Sequence, residues 1–228
     1  MVYKVSFKVR TPVILTSAIH FDALLTAVHP MMHNLDRVTK TSGAEKVVIA
    51  PLPIRKICKD GAWVWCCSAA LFPDDSKFFH GKVNKVKNGI DYFYLKAKQQ
   101  PATGIDRNRC DTIYGVSCRE VYFLVESANP KELERICRRV RSIGGLRRMG
   151  YGEVTEIVYE ECPELTWQDT LVKDGIALRN IPAELLENTA NNMIVTRPPY
   201  WLAAHRRSGV AEGEAAVIKE ELNHIKFK

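Results

Sequence analysis

No apolar run in the sequence approaches the ~18 residues that a membrane-spanning helix needs, and the chain is expected to be soluble. No pair of cysteines has the C-x-x-C spacing of a zinc or redox site. The seven cysteines are odd in number, so a fully paired disulfide scaffold is not expected either. They read as reduced, cytoplasmic thiols. Residues 1–10 lack the apolar core of a secretory signal and instead alternate apolar with polar side chains, among them Lys4, Lys8 and Arg10. Internal repeats and low-complexity tracts are also missing. One further absence is local: from Arg135 through Arg148 there is no acidic residue.

What is present begins with charge. The net charge of +7 is unevenly divided: residues 1–162 hold 25 Lys+Arg against 17 Asp+Glu, and residues 163–228 hold 8 against 9. A basic body with a near-neutral tail suits a polyanionic partner. At 228 residues the chain is long enough to bury a real core, as one domain with a sizeable appendage or two small ones.

Hydropathy periodicity predicts the elements. Residues 2–10 place Val5, Phe7 and Val9 on one face and Lys4, Ser6, Lys8 and Arg10 on the other, the pattern of a half-buried strand with a basic open face. A short helix over 19–28, capped by Ser17, buries Phe21, Leu24, Leu25 and Val28 and stops at Pro30. Residues 47–117 offer strand-like runs at 47–58, 62–71 and 92–97, broken by prolines and glycines. They are expected to form an elaborated hairpin carrying Lys77, Lys82, Lys85, Lys87, Lys96 and Lys98. Residues 120–127 read as a central strand covered on both faces. A helix over 130–143 follows, with Leu133, Ile136, Cys137, Val140 and Ile143 inward and Arg135, Arg138, Arg139 and Arg141 outward. Residues 152–160 return as a strand. The order strand, helix, hairpin, strand, helix, strand predicts an α+β, ferredoxin-like (RRM-like) β-α-β-β-α-β domain over residues 1–162 with the hairpin inserted at about 47–117. Residues 163–228 are expected to form a C-terminal extension that wraps this domain or reaches a partner. Of the four tryptophans, Trp63, Trp65 and Trp167 read as core or interface anchors, and Trp201, beside Pro198 and Pro199, as a subunit-interface residue.

The helix runs into Gly144-Gly145-Leu146-Arg147-Arg148-Met149-Gly150-Tyr151-Gly152, four glycines in nine residues. Glycine costs about 0.5–1 kcal/mol relative to alanine in regular structure, so the cluster implies backbone conformations or a close approach that a Cβ forbids. Gly145 and Gly150 have Walker spacing, and Gly150-Tyr151-Gly152 supplies a G-x-G. Yet no Lys-Ser/Thr follows, and the order here is helix, loop, strand, the reverse of nucleotide-binding motifs. Such a loop can press its amides and the flanking Arg147 and Arg148 against an RNA backbone, with Tyr151 available to stack on a base or to pack in the core. Neutralising about six phosphates predicts a log–log salt slope near −4, or ~300-fold weaker binding for fourfold more salt.

At these residues the sequence resembles the RAMP superfamily of CRISPR-associated proteins, whose ferredoxin-like domains carry a glycine-rich loop between the last helix and the last strand. Two other segments look like patterns in RAMP subunits of class 1 effector complexes. They are Ser17-Ala18-Ile19-His20-Phe21-Asp22-Ala23-Leu24-Leu25 and Gly104-Ile105-Asp106-Arg107-Asn108-Arg109, the latter followed by Ile113-Tyr114-Gly115. With Pro198-Pro199-Tyr200-Trp201, the chain looks most like the small subunit of type IV complexes that holds the 5′ handle of the guide. The resemblance implies a non-catalytic subunit that grips crRNA and docks to a backbone subunit and a large subunit, with target DNA as a further contact. It calls for no cofactor and no metal.

Two other functional readings are weighed beside it, with alternatives for single residues. His20 is suited to general acid–base chemistry, with Asp22 as its pair, in a metal-independent crRNA-processing endoribonuclease. The chain is otherwise a domain that binds protein only. Asp22 also simply suits a helix N-terminus. Arg107 and Arg109 either contact RNA or pair with Asp106 and Asp111. His29 and His33 have i, i+4 spacing, but Pro30 lies between them and a third ligand is missing, which speaks against zinc.

Overall fold

A computed structural model describes residues 1–29, 51–85, 109–188, 192–198, 200 and 205–224. It is an α+β structure with two helices and several small antiparallel sheets among the described residues. The central sheet has the order β7-β1-β8, from β1 (Val2–Val9), β7 (Glu120–Glu126) and β8 (Val154–Glu161). The alternation in β1 has the expected result. Val5 and Phe7 face α1 (Phe21–Val28) and α2 (Pro130–Cys137), where Phe21, Leu24, Leu25, Leu133, Ile136 and Cys137 close the main core. Phe7 meets Phe123 edge-on at 5.8 Å, and Phe21 stacks on Phe123 at 4.8 Å. Each such buried side chain contributes roughly 1.5–3 kcal/mol.

The other face of the sheet is not the basic surface that β1 alone suggests. Lys4 is paired with Glu120 at 3.7 Å and Glu160 at 3.9 Å, and Lys8 is paired with Glu120. The carboxylates come from the neighbouring strands, which the sequence of one strand does not reveal.

Three boundaries differ from expectation. The first helix starts at Phe21 with His20, not Ser17, at its N-cap position. The second begins as expected, with Asn129 accepting from the Glu132 amide at 3.1 Å, but ends at Cys137. Beyond it the chain unwinds into an extended stretch: the Ile143 amide donates to the Gly152 carbonyl at 2.9 Å and that of Val154 to the Arg141 carbonyl at 3.0 Å. Val140 and Ile143 are still buried, because β-branched residues ahead of two glycines favour extended backbone over another helical turn. Arg139 and Arg141 therefore lie past the helix. Finally, the run 62–71 is a strand only over β4 (Ala62–Trp65), paired with β3 (Lys56–Lys59). Residues 66–71 then run beside β7 through single bridges, Cys67 opposite Val125 and Leu71 opposite Tyr122. The expected strand at 92–97 lies outside the described residues.

A second sheet, β2-β6-β5, joins β2 (Val13–Leu15), β6 (Arg109–Ser117) and β5 (Lys77–Lys85) into a projecting ribbon. The C-terminal part is more ordered than its composition suggests. Two short strands, β9 (Val172–Lys173) and β10 (Ile176–Ala177), pair with each other, and β11 (Ile181–Pro182), β13 (Arg206–Val210) and β12 (Asn192–Val195) form a sheet in that order. They enclose a second core of Trp167, Leu171, Ile181, Leu185 and Val210, which also takes Ile57 and Val64 from the β3–β4 hairpin. Among the described residues no helix is long and apolar enough to cross a membrane.

Candidate functional site

The glycine loop is fixed by the segment that follows β1. Gly145 N–H donates to the Ile14 carbonyl at 2.7 Å, Gly152 N–H to the Pro12 carbonyl at 2.9 Å, and the Thr11 hydroxyl to the Gly150 carbonyl at 2.7 Å. Two glycines are demanded by packing. A Cβ on Gly144 would stand 2.5 Å from the Ile14 carbonyl oxygen, and one on Gly152 would stand 1.8 Å from that of Ile143. Both residues also have positive φ. Gly150, at φ +84°, has open space around it and ends a single 3-10 turn formed by Arg147–Met149. The loop is thus pinned at both ends and presents Arg147, Arg148 and Met149 to solvent at its tip. Tyr151 is half-buried beside it.

All six arginines of the run are exposed, but they are not equivalent. Arg135 holds Glu132 through two hydrogen bonds at 2.6 and 2.7 Å, and Arg138 holds Glu134 at 2.5 Å. Each carboxylate lies just ahead of the acid-free stretch, one helical turn before the arginine that holds it. Arg139, Arg141, Arg147 and Arg148 form no salt bridge among the described residues, although Arg139 lies near enough to Glu132 to help hold its pKa down.

The loop and the ribbon share a sheet. Ile14 bridges Gly145 on one edge of β2 while the other edge pairs with β6, Val13 opposite Val116 and Leu15 opposite Tyr114. On the ribbon the period-two pleat places Phe78, His80, Lys82 and Tyr114 on one face, with Phe78 72% and Tyr114 62% exposed. Lys77 and Lys82 are exposed and Lys85 ends β5, whereas Lys87, Lys96 and Lys98 lie outside the described residues. Arg109 opens β6, and Arg107 lies outside the described residues.

His20 and Asp22 sit elsewhere, in a cluster with Arg179, which had no place in the sequence reading, and Tyr200, which entered it only as part of the Pro198-Pro199-Tyr200-Trp201 segment. Arg179, fully buried, donates to Asp22 Oδ2 at 3.1 Å, to the Tyr200 hydroxyl at 2.6 Å, and to the carbonyls of Trp65, Cys67 and Thr196 at 3.0–3.2 Å. Tyr200 in turn donates to the Asp22 carboxylate at 3.0 Å, and its ring stacks on His20 at 4.3 Å. His20 is only 4% exposed and its Nδ1 has no partner among the described residues. Burial, aided by Arg179, pushes its pKa down to about 4. Burial alone would lower the Arg179 pKa, but the Asp22 carboxylate and Tyr200 outweigh it and move it up. Burial pushes the Cys67 thiol up to about 12. The sequence carries a faint signal for this hub: one arginine in an apolar stretch (Ile176-Ala177-Leu178-Arg179) and one aspartate in another (Phe21-Asp22-Ala23-Leu24) imply each other. His29 is buried near α2, His33 lies outside the described residues, and no group of three or more His, Cys, Asp or Glu among the described residues is placed to hold a metal ion.

Compared with known proteins, the chain matches no family model and no curated protein.

Proposed function

We propose that the chain is an RNA-binding subunit of RAMP type, with the glycine loop and its arginines as the gripping surface. The observation that carries this is the placement of Arg139, Arg141, Arg147 and Arg148 around a loop held rigid from Thr11 to Ile14. A pinned loop presents charge without the ordering cost of a flexible one. The ribbon supports the same reading, since β2 joins it to the loop and it offers exposed aromatics among lysines, the combination that tracks an unpaired strand. The paired charges on the open face of the central sheet speak against RNA lying there. The fold proposed is ferredoxin-like: the order β7-β1-β8, two helices on one face, and residues 66–71 running beside β7 in the place of a fourth strand all support it.

In this reading the RNA is a crRNA gripped at its 5′ handle within a cytoplasmic type IV ribonucleoprotein, with a backbone subunit and a large subunit as protein partners and target DNA as a further contact. The endoribonuclease reading is weakened by the burial of His20, whose ring is covered by Tyr200 and cannot meet a phosphodiester without opening the cluster. Binding of guide RNA with and without its 5′ handle tests the proposal. Weaker binding without the handle, and loss of binding on Arg147→Glu with Arg148→Glu, are expected. Equal affinity for both RNAs would remove the handle assignment, and site-specific cleavage in EDTA that His20→Ala abolishes would favour the enzyme.

A further inference from the structure

At the other end of the central sheet, a second group of cations surrounds an aromatic ring. The register of β3 with β4 sets Lys56 opposite Trp65 and Cys58 opposite Trp63, so these four share one face while Ile57 and Val64 enter the second core. Lys56 Nζ lies 4.9 Å from the centre of the Trp63 ring, and the Arg197 guanidinium carbon lies at the same distance. Trp65 meets Trp63 edge-on at 5.5 Å and fixes its plane. Lys56 is exposed, and Trp63 and Arg197 are half-buried.

Neither cation has a carboxylate partner among the described residues. Glu184 is taken by Arg207 at 3.1 Å, and Glu221 by Lys59. Burial, with Arg207 close by, also holds the Arg197 pKa below its usual value. Like charges gathered at a partly desolvated site are unfavourable until an anion joins them. The planar guanidinium lying over an indole offers hydrogen-bond donors at its edge and a π-face for a base.

This cluster is separate from the glycine loop. Arg55 N–H donates to the carbonyl of Glu126, where β7 ends beside Val2, whereas the loop is bonded to Pro12 and Ile14, beyond the far end of β1. A strand of eight residues puts roughly 25 Å between the two ends, a span that a short unpaired segment of RNA covers.

We infer that Lys56, Trp63 and Arg197 form a second RNA contact, in which the two cations hold a phosphodiester of an unpaired strand and a flanking base stacks on the guanidinium–indole assembly. The inference rests on the reading that the chain grips RNA at its glycine loop. The experiment compares the full chain with a Lys56→Glu, Arg197→Glu variant for binding two oligouridylates, one short enough to occupy the loop alone and one long enough to reach both places. The variant is expected to bind the long oligonucleotide about tenfold more weakly and the short one unchanged, with the log–log salt slope for the long one reduced by about 0.7 per phosphate lost. If the double variant loses the native circular-dichroism spectrum, the single exposed change Lys56→Gln replaces it, with about threefold loss expected. A folded variant that binds both oligonucleotides as the parent does overturns the inference alone, provided that Arg147→Glu with Arg148→Glu still weakens binding. A parent chain that retains neither oligonucleotide overturns the inference, and one that also fails to retain guide RNA with its 5′ handle overturns the reading beneath it.

Discussion

Arg179 donates to Asp22 across 3.1 Å, and neither side chain retains any solvent exposure. The pair joins the first helix to the C-terminal part of the chain, and Tyr200 closes the triangle by bonding to both. Removing one member of a buried pair strands the other without its counter-charge, which typically costs 3–5 kcal/mol. Asp22→Ala and Arg179→Leu are each expected to destabilise the protein by about 3–5 kcal/mol, and the double change by clearly less than the sum. Urea denaturation of the three variants gives the cycle, and simple additivity would show that the two residues do not act as a pair.

Acid should loosen the same cluster through His20. Its pKa falls from 6.5 in the unfolded chain to about 4 in the fold, chiefly because burial disfavours the charged ring. The stability that this neutral ring contributes is fully present above pH 6.5. It is lost as pH falls from 6.5 toward 4, since the unfolded state takes up the proton first. The loss amounts to roughly 3 kcal/mol across that window. His29 and His205, also shifted down by burial, add to it in the same direction. His20→Phe should flatten part of the decline in melting temperature between pH 7 and pH 4. An unchanged pH profile in that variant would place the sensitivity elsewhere.

Much of the fold was legible where one face of an element decides its fate. The alternation of Val5 and Phe7 against Lys4 and Lys8, and the spacing of Leu133, Ile136 and Cys137, give the first strand and the second helix because each pattern admits one burial geometry, but the central place expected for residues 120–127 belongs to β1 in the order β7-β1-β8. The pattern was ambiguous at Val140 and Ile143, where a helical turn and a short extended ladder bury the same two residues. What required the third dimension was pairing between distant segments. Glu120 and Glu160, from other strands, neutralise Lys4. Glu132 and Glu134, by contrast, stand one helical turn before Arg135 and Arg138, a local spacing from which both pairs could have been read. Arg179 and Tyr200 stand more than 150 residues from Asp22, and no local period links them.

The loop glycines should separate by the space around them. At Gly152 a methyl group would overlap the Ile143 carbonyl, which is backbone and cannot swing aside, so Gly152→Ala is expected to cost several kcal/mol, roughly 3 or more. At Gly150 the space is open and only the positive φ opposes alanine, giving a loss of about 1 kcal/mol. Thermal melts of the two variants check the order. Equal losses would mean that the close approach between residues 143 and 152 relaxes easily.

The salt dependence of RNA binding should reflect four arginines of the run and not six. Arg135 and Arg138 already hold carboxylates, so a phosphate would have to compete with Glu132 and Glu134 for them. Arg139, Arg141, Arg147 and Arg148 are the ones whose counterions can be exchanged for RNA. At about 0.7 per phosphate for single strands, the cluster contributes a log–log slope near −3 instead of −4, or about 50-fold weaker binding for fourfold more salt. Arg147→Gln with Arg148→Gln should roughly halve that contribution. Arg135→Gln with Arg138→Gln should leave it almost unchanged. Filter binding of a single-stranded RNA from low to moderate salt measures both. Equal slope losses in the two pairs would show that the intrahelical salt bridges open on binding and that all six arginines reach phosphate.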